Sequence, residues 1–134
     1  MSNFSADIAK WVAKAKGNTD QAVRNVVTDV ATALVDRTPV QTGAARGNWR
    51  ADAKGFTVRP TGRLDPDGAE TVAHITESVG GMKAGDLIYI TNSSAYILDL
   101  EHGSSKQAPA GMVSVTIAEL AAIADQAARK AAGS

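Results

Sequence analysis

The residues with the most evident chemical potential lie between Glu101 and Ser105, where a carboxylate, an imidazole and two hydroxyls follow closely. Glu101 and His102 offer a base, and Ser104 and Ser105 offer a nucleophile. Catalytic groups are normally assembled in space, however, and neighbours along a chain rarely reach one another in a productive geometry. The sequence also contains no nucleophile elbow, phosphate-binding loop or HExxH motif. We therefore predict no catalytic residues.

A metal site or a cofactor site is not predicted either. Asp65, Asp67 and Glu70 are close together, but their spacing does not fit the calcium loop of an EF-hand. Only two histidines occur, His74 and His102, which is too few for a typical histidine-based zinc site. Both are expected to be exposed or to cap a helix. Cysteine is absent, so the chain forms no disulfide and no thiolate metal site.

The charges of the chain balance, with 14 basic and 14 acidic side chains. Residues 1–50 contain seven basic and four acidic side chains, whereas residues 51–100 contain four and seven. This asymmetry allows the basic face of one copy to meet the acidic face of another, or it reflects chance scatter on a solvated surface. A DNA-binding domain would show a stronger basic footprint. No apolar run approaches the ~20 residues of a membrane helix, and the first residues do not resemble a secretory signal.

The pattern of apolar residues predicts one domain, residues 1–134, of the α+β class. Steps of three and four residues predict helices over 3–16, from Asn18 or Thr19 to about Thr38, over 69–79, and from Pro109 or Ala110 to Ala132. A strand remains an alternative for 69–79. Strands are predicted over 49–53 with a continuation at 56–58, and from Leu87 to a break at residues 92–94, re-forming around 96–100. We expect long N-terminal and C-terminal helices packed on a small, mainly antiparallel β-sheet.

Two loop-rich stretches connect these elements: RTPVQTGAARGNW at residues 37–49 and YITNSSAYILDLEHGSSKQAPAGMV at residues 89–113. Pro39 ends the preceding helix, Thr42 is expected to cap a short helical turn, and Trp49 is expected in the core. Arg37 and Arg46 are either solvated or one of them pairs with Glu101, within the chain or across subunits. We expect backbone donors or an arginine to hold Glu101 and so to fix the turn at Gly103.

In the order and identity of their residues, these two stretches resemble the minor tail-component family of long-tailed double-stranded DNA phages and prophages. Members of that family are small neck or tail-completion proteins near the head–tail joint. One departure is that relatives often carry an aromatic residue where Ser104 stands. The motifs assign the following residues to a protein interface or its framework: Arg37, Thr38, Pro39, Thr42, Gly43, Arg46, Trp49, Asn92, Tyr96, Leu100, Glu101, Gly103, Gln107 and Pro109.

The resemblance implies a structural virion protein, made in the host bacterial cytoplasm and located in the neck or tail. It implies a ring of copies of this chain, with sixfold order suggested, that meets a connector, tail-terminator or tail-tube protein. It implies proximity to the DNA channel without sequence-specific binding of nucleic acid, and no cofactor, membrane or enzymatic turnover. The alternative from a different class is a small phage or bacterial hydrolase that uses the Glu101–Ser105 loop. A tailocin-like particle is a third setting.

Overall fold

The computed structural model describes residues 11–12, 20–108 and 110–132. This part of the chain is α+β, with six helices and a small antiparallel sheet, as predicted. In chain order the elements are β1 (Trp11–Val12), α1 (Asp20–Arg37), α2 (Ala44–Gly47), β2 (Trp49–Asp52), α3 (Ala69–Val79), β3 (Leu87–Asn92), α4 (Ile97–Glu101), α5 (Val113–Ala118) and α6 (Leu120–Ala132).

Helix α1 is the central element of the core. Its buried face follows the predicted steps of three and four residues and consists of Ala22, Val23, Val26, Val27, Val30, Ala31, Leu34 and Val35. This face packs against α6, α3 and β2. Several of these residues are β-branched valines of modest helix propensity, so tertiary packing stabilises the helix. The helix ends at Arg37, close to the predicted end before Pro39.

The sheet has the strand order β1-β3-β2, and both pairings are antiparallel. In β2, Trp49 and Ala51 are buried against the helices, whereas Arg50 and Asp52 alternate to the other side. The predicted core position of Trp49 is confirmed, since it is 2% exposed. The predicted continuation of the strand at 56–58 is wrong, because pairing with β3 ends at Asp52 and no strand forms there.

The predictions for the two ends of the chain have different outcomes. The predicted helix 3–16 lies outside the described residues except for Trp11 and Val12, which pair with β3 as a strand. The predicted C-terminal helix is divided into α5 and α6 at Glu119. The backbone of Glu119 leaves the helical region (φ −101°, ψ 2°), and its carboxylate pairs with Arg37 at 2.6 Å. A contact between distant residues thus accompanies the break.

Two local expectations have opposite outcomes. Residues 69–79 form helix α3 rather than a strand, with Thr71, Ile75 and Val79 buried at every fourth position. The strand expected to re-form around 96–100 is wrong, because these residues lie in helix α4. There Ile97 and Glu101 are four residues apart and both buried, which is a helical spacing. Among the described helices, none is both long and apolar enough to cross a membrane.

Candidate functional site

Glu101 is held by backbone donors, one of the two arrangements expected for it. Its Oε1 accepts hydrogen bonds from the N–H groups of Met112 (2.9 Å) and Val113 (2.8 Å). Its Oε2 accepts from the N–H and the hydroxyl of Ser114 at 2.9 and 2.8 Å. These donors belong to the start of α5, where free N–H groups favour a negative charge. Glu101, only 8% exposed, therefore fastens the 101–112 loop at both ends.

Within the chain, neither candidate arginine contacts Glu101. Arg37 donates to the Thr116 hydroxyl at 2.8 Å and to both carboxylate oxygens of Glu119 at 2.6 and 2.9 Å. A purely solvated role for Arg37 is thus also wrong. Its contacts tie the end of α1 to α5 and to the break before α6.

Arg46 is a framework residue. Its guanidinium donates to three carbonyl oxygens, those of Thr38 (2.8 Å), Pro66 (2.9 Å) and Asp36 (3.0 Å). These acceptors come from the end of α1 and from the turn before α3. Five N–H donors in a planar fork suit arginine for joining several acceptors at once. Arg46 therefore fixes the 37–49 stretch to its surroundings.

Thr38 and Trp49 anchor the same stretch to the core through hydrogen bonds. The Thr38 hydroxyl donates to the Leu34 carbonyl at 2.6 Å and accepts from the Trp49 indole N–H at 2.8 Å. Both side chains are almost fully buried, so this chain of bonds satisfies groups that water does not reach. Thr42 contributes a local bond, its hydroxyl accepting from the Ala44 N–H at 3.3 Å.

The two motif stretches are joined directly by Gln107 and Val40. The Gln107 side chain accepts from the Val40 N–H at 3.0 Å and donates to the Val40 carbonyl at 3.2 Å. Asn92 makes a second link, because its amide nitrogen donates to the Ala45 carbonyl at 2.7 Å and its oxygen accepts from the Ser94 N–H at 2.9 Å. These side-chain bonds bring the two stretches together.

Between the joined stretches lies a groove of about 640 Å³. Its walls include Pro39, Thr42, Gly43, Tyr96 and Leu100, all of them residues that the motifs had assigned to the interface. The Tyr96 side chain is 70% exposed at the edge of this groove. Gly103 lies in a left-handed turn with φ 86°, beyond the end of α4. Pro109 lies outside the described residues.

Sequence reasoning missed the role of Asp65. Its N–H donates to the Gly43 carbonyl at 3.1 Å, and its Oδ2 accepts from the N–H and hydroxyl of Thr71, both at 2.6 Å. The composition Asp-Pro-Asp-Gly before an apolar helix indicated a turn, but the link to Gly43 has no local signal. Burial raises the pKa of Asp65, but hydrogen bonds from Thr71, together with those from Asp67 and Glu70, outweigh that effect and leave the pKa below its ordinary value.

This lowered pKa predicts an acid-sensitive contribution to stability. Because the folded-state pKa is below the unfolded one, charged Asp65 stabilises the fold above about pH 4, and the contribution disappears as pH falls through the folded pKa. Asp65→Asn is expected to lower the free energy of unfolding at pH 7 by about 1–2 kcal/mol. Urea unfolding over a pH series should show the gap between wild type and variant closing in acid. A gap that stays constant over the series contradicts the prediction, and Asp99→Asn, an exposed carboxylate, is the control.

The groups considered for catalysis form hydrogen bonds within the chain or are exposed at the surface. Four donors occupy the oxygens of Glu101, so this carboxylate is not free to accept a substrate proton. The Ser105 hydroxyl accepts from the Gln107 N–H at 3.1 Å, and both His74 and His102 are exposed. Over the described residues, no group of three His, Cys, Asp or Glu side chains is arranged to hold a metal ion.

The site is therefore a groove whose walls are fixed by internal hydrogen bonds, with Tyr96 exposed beside it. Such an arrangement offers shape and a few polar groups at the surface. Comparisons of the chain with protein-family models, with curated proteins and with solved structures gave no match.

Proposed function

We propose that this chain is a structural component of a phage or prophage particle, which completes the tail or joins head to tail as part of an oligomeric ring. Its partners are copies of itself and a connector, tail-terminator or tail-tube protein. Its place is the neck or tail of the virion after synthesis in the bacterial cytoplasm. The role is mechanical and involves no turnover of a substrate.

The observation that carries this proposal is that the polar side chains of the motifs form hydrogen bonds within the chain. Glu101, Arg46 and Gln107 carry most of the chemistry of the motifs, and each binds the chain's own backbone. A binding surface requires such fixed loops, since rigid loops lose less conformational entropy on association. An enzyme would instead leave a reactive group free in a cleft. The groove and Tyr96 thus support a docking role.

The experiment is to interrupt the gene in the phage or prophage that encodes the chain and to examine the particles by electron microscopy. We expect separate heads and tails, and joining on addition of the purified chain to the defective lysate. A second lysate should receive the chain with Glu101→Ala, which is expected to join fewer particles. Normally joined particles in the absence of the chain would overturn the proposal.

A further inference from the structure

The charges in the middle of the chain are separated along the sequence. From Arg50 to Arg63 there are four basic residues, Arg50, Lys54, Arg59 and Arg63, and one acidic residue, Asp52. From residue 64 to 82 there are four acidic residues, Asp65, Asp67, Glu70 and Glu77, and no lysine or arginine. Balanced surfaces usually mix the two signs. The fold turns this separation into two faces.

The basic face lies on the side of the sheet away from the helices. Alternation along β2 directs Arg50 and Asp52 to this side, and their cross-strand neighbours are Thr91 and Tyr89. Residues 53–64 cross this face without regular secondary structure. The Phe56 ring packs at 5.0 Å from that of Tyr89.

The 53–64 segment also exposes apolar side chains beside its basic groups. Val58 is 76% exposed, Leu64 is 65% exposed and Phe56 is 40% exposed. Arg59 and Arg63 form no salt bridge with any carboxylate in the described part of the chain. Arginine beside exposed apolar and aromatic groups is typical of protein interfaces.

Hydrogen bonding on this face is also incomplete. Within the described residues, Asp52 Oδ2, Arg63 Nε and Thr91 Oγ1 are buried and have no hydrogen-bond partner. Buried polar groups are normally bonded, so three such atoms in one region are unusual. Burial lowers the pKa of Arg50, and although Asp52 raises it, Arg63 and Arg59 lower it again by repulsion. A partner with negative charge would relieve this repulsion.

The acidic face lies on the outer side of helix α3. Ile75 is buried in the core, and Glu77 follows it by roughly 200° around the helix axis. Glu70 lies on the same outer side, and both glutamates are exposed and form no salt bridge within the described residues. Because α3 packs against α1 and the inner side of β2, its outer side points away from the sheet. The basic and acidic faces are therefore different surfaces of the domain, and residues 53–57 approach the end of α3 near Ser78.

We propose that the basic face of one copy binds the acidic face of α3 in the next copy. The basic face is formed by Arg50, Arg59 and Arg63 and by the exposed apolar side chains of residues 53–64. Two different faces of one chain make a heterologous contact, which closes into a ring when its rotation allows. This assignment rests on the proposed ring and names the surfaces that build it. Exposed Val58 and Leu64 favour a protein partner over the phosphates of DNA, which offer no apolar surface.

A charge exchange tests the contact. Arg59→Glu and Glu77→Arg change exposed side chains that hold no other element in place. Each single variant should weaken self-association of the full-length chain at low ionic strength, measured by sedimentation velocity over a concentration series. We expect a dissociation constant raised by about tenfold, which is about 1.4 kcal/mol. The double variant should recover most of the loss, and added salt should weaken wild type and the double variant more than either single variant.

Arg129→Glu is the matched control, since Arg129 is exposed on α6 and, within the described residues, its salt bridge is with Asp125 on the same helix. It should associate as wild type does. A monomeric wild type throughout the series overturns the proposal, as does a double variant no better than the singles. DNA binding that Arg59→Glu abolishes, with self-association unchanged, assigns the face to DNA and also overturns it. Joined particles made with both single variants refute this contact alone and leave the proposed function intact.

Discussion

Glu101→Ala is expected to lower the free energy of unfolding by about 3 kcal/mol, because it removes four hydrogen bonds from one buried carboxylate. The N–H groups of Met112 and Val113 are buried and would lose their acceptor. The carboxylate also opposes the positive end of α5, and that favourable interaction is lost as well. For a domain of this size the melting temperature should fall by about 10 °C.

Glu101→Gln separates the loss of acceptors from the loss of volume. One carboxylate oxygen receives two backbone N–H groups, and the other receives the N–H and hydroxyl of Ser114. The amide NH2 of glutamine must face one of these pairs of donors, so we expect a loss of about 2 kcal/mol despite the unchanged shape. Hydrogen exchange should show faster exchange at Met112 and Val113 before α1 is affected.

Thermal unfolding and amide exchange of both variants measure how much the Glu101 carboxylate contributes to stability. Asp99→Asn is the control, because this aspartate is exposed on α4 and its loss should leave stability unchanged. A loss below about 1 kcal/mol in both Glu101 variants would show that water replaces the carboxylate adequately. In that case the 101–112 loop is fixed by other contacts.

Local patterns predicted those elements whose apolar spacing repeats over several turns. Helix α1 carries eight buried residues on one face, and both its face and its end were predictable. Residues 96–100 were not, since β-favouring Tyr96 and Ile97 suggest a strand while burial of Ile97 and Glu101 requires a helix. The break between α5 and α6 was also not predictable from the local sequence, because the contact of Arg37 with Glu119 joins residues 82 positions apart.

In the site, too, some features are predictable from the local sequence and others are not. The sequence predicts that donors hold Glu101, that Pro39 ends the preceding helix and that a short helical turn follows Thr42. The partners of Arg46 are three backbone carbonyls, which every residue possesses, so no side-chain type could reveal them. The sequence suggests Asp65 only as a calcium ligand that does not fit, whereas its N–H donates to the Gly43 carbonyl. Predicting these links requires the packed fold, since they join segments through backbone atoms.

Gly43→Ala is expected to be the most damaging glycine substitution in the 37–49 stretch. The backbone of Gly43 has φ 91°, which a residue with a Cβ adopts only at a cost of about 1–2 kcal/mol. A Cβ at this position would also lie 2.5 Å from the Asp65 nitrogen and 2.6 Å from the Pro66 nitrogen. These are backbone atoms of a fixed turn and cannot move aside as a flexible side chain would. We expect a combined loss of about 4 kcal/mol.

Two other glycines separate the two causes of this loss. Gly62 also has a positive φ, 77°, but nothing lies within 4 Å of its added Cβ, so Gly62→Ala should cost only about 1 kcal/mol. Gly47 is in helix α2, and its added Cβ would overlap with the backbone of Arg63, so Gly47→Ala reports the overlap without left-handed strain. Part of that overlap is offset by the better helix propensity of alanine, about 1 kcal/mol.

Urea unfolding of the three variants should therefore rank the losses as Gly62→Ala, then Gly47→Ala, then Gly43→Ala. The ranking matters for function because Gly43 forms part of the groove and its carbonyl accepts from Asp65. Displacement of this turn should open the groove, so Gly43→Ala should also join fewer particles, even below its melting temperature. If Gly43→Ala costs no more than Gly62→Ala, the turn yields to the added methyl group. The 37–49 stretch would then be too compliant to present a fixed surface to a partner.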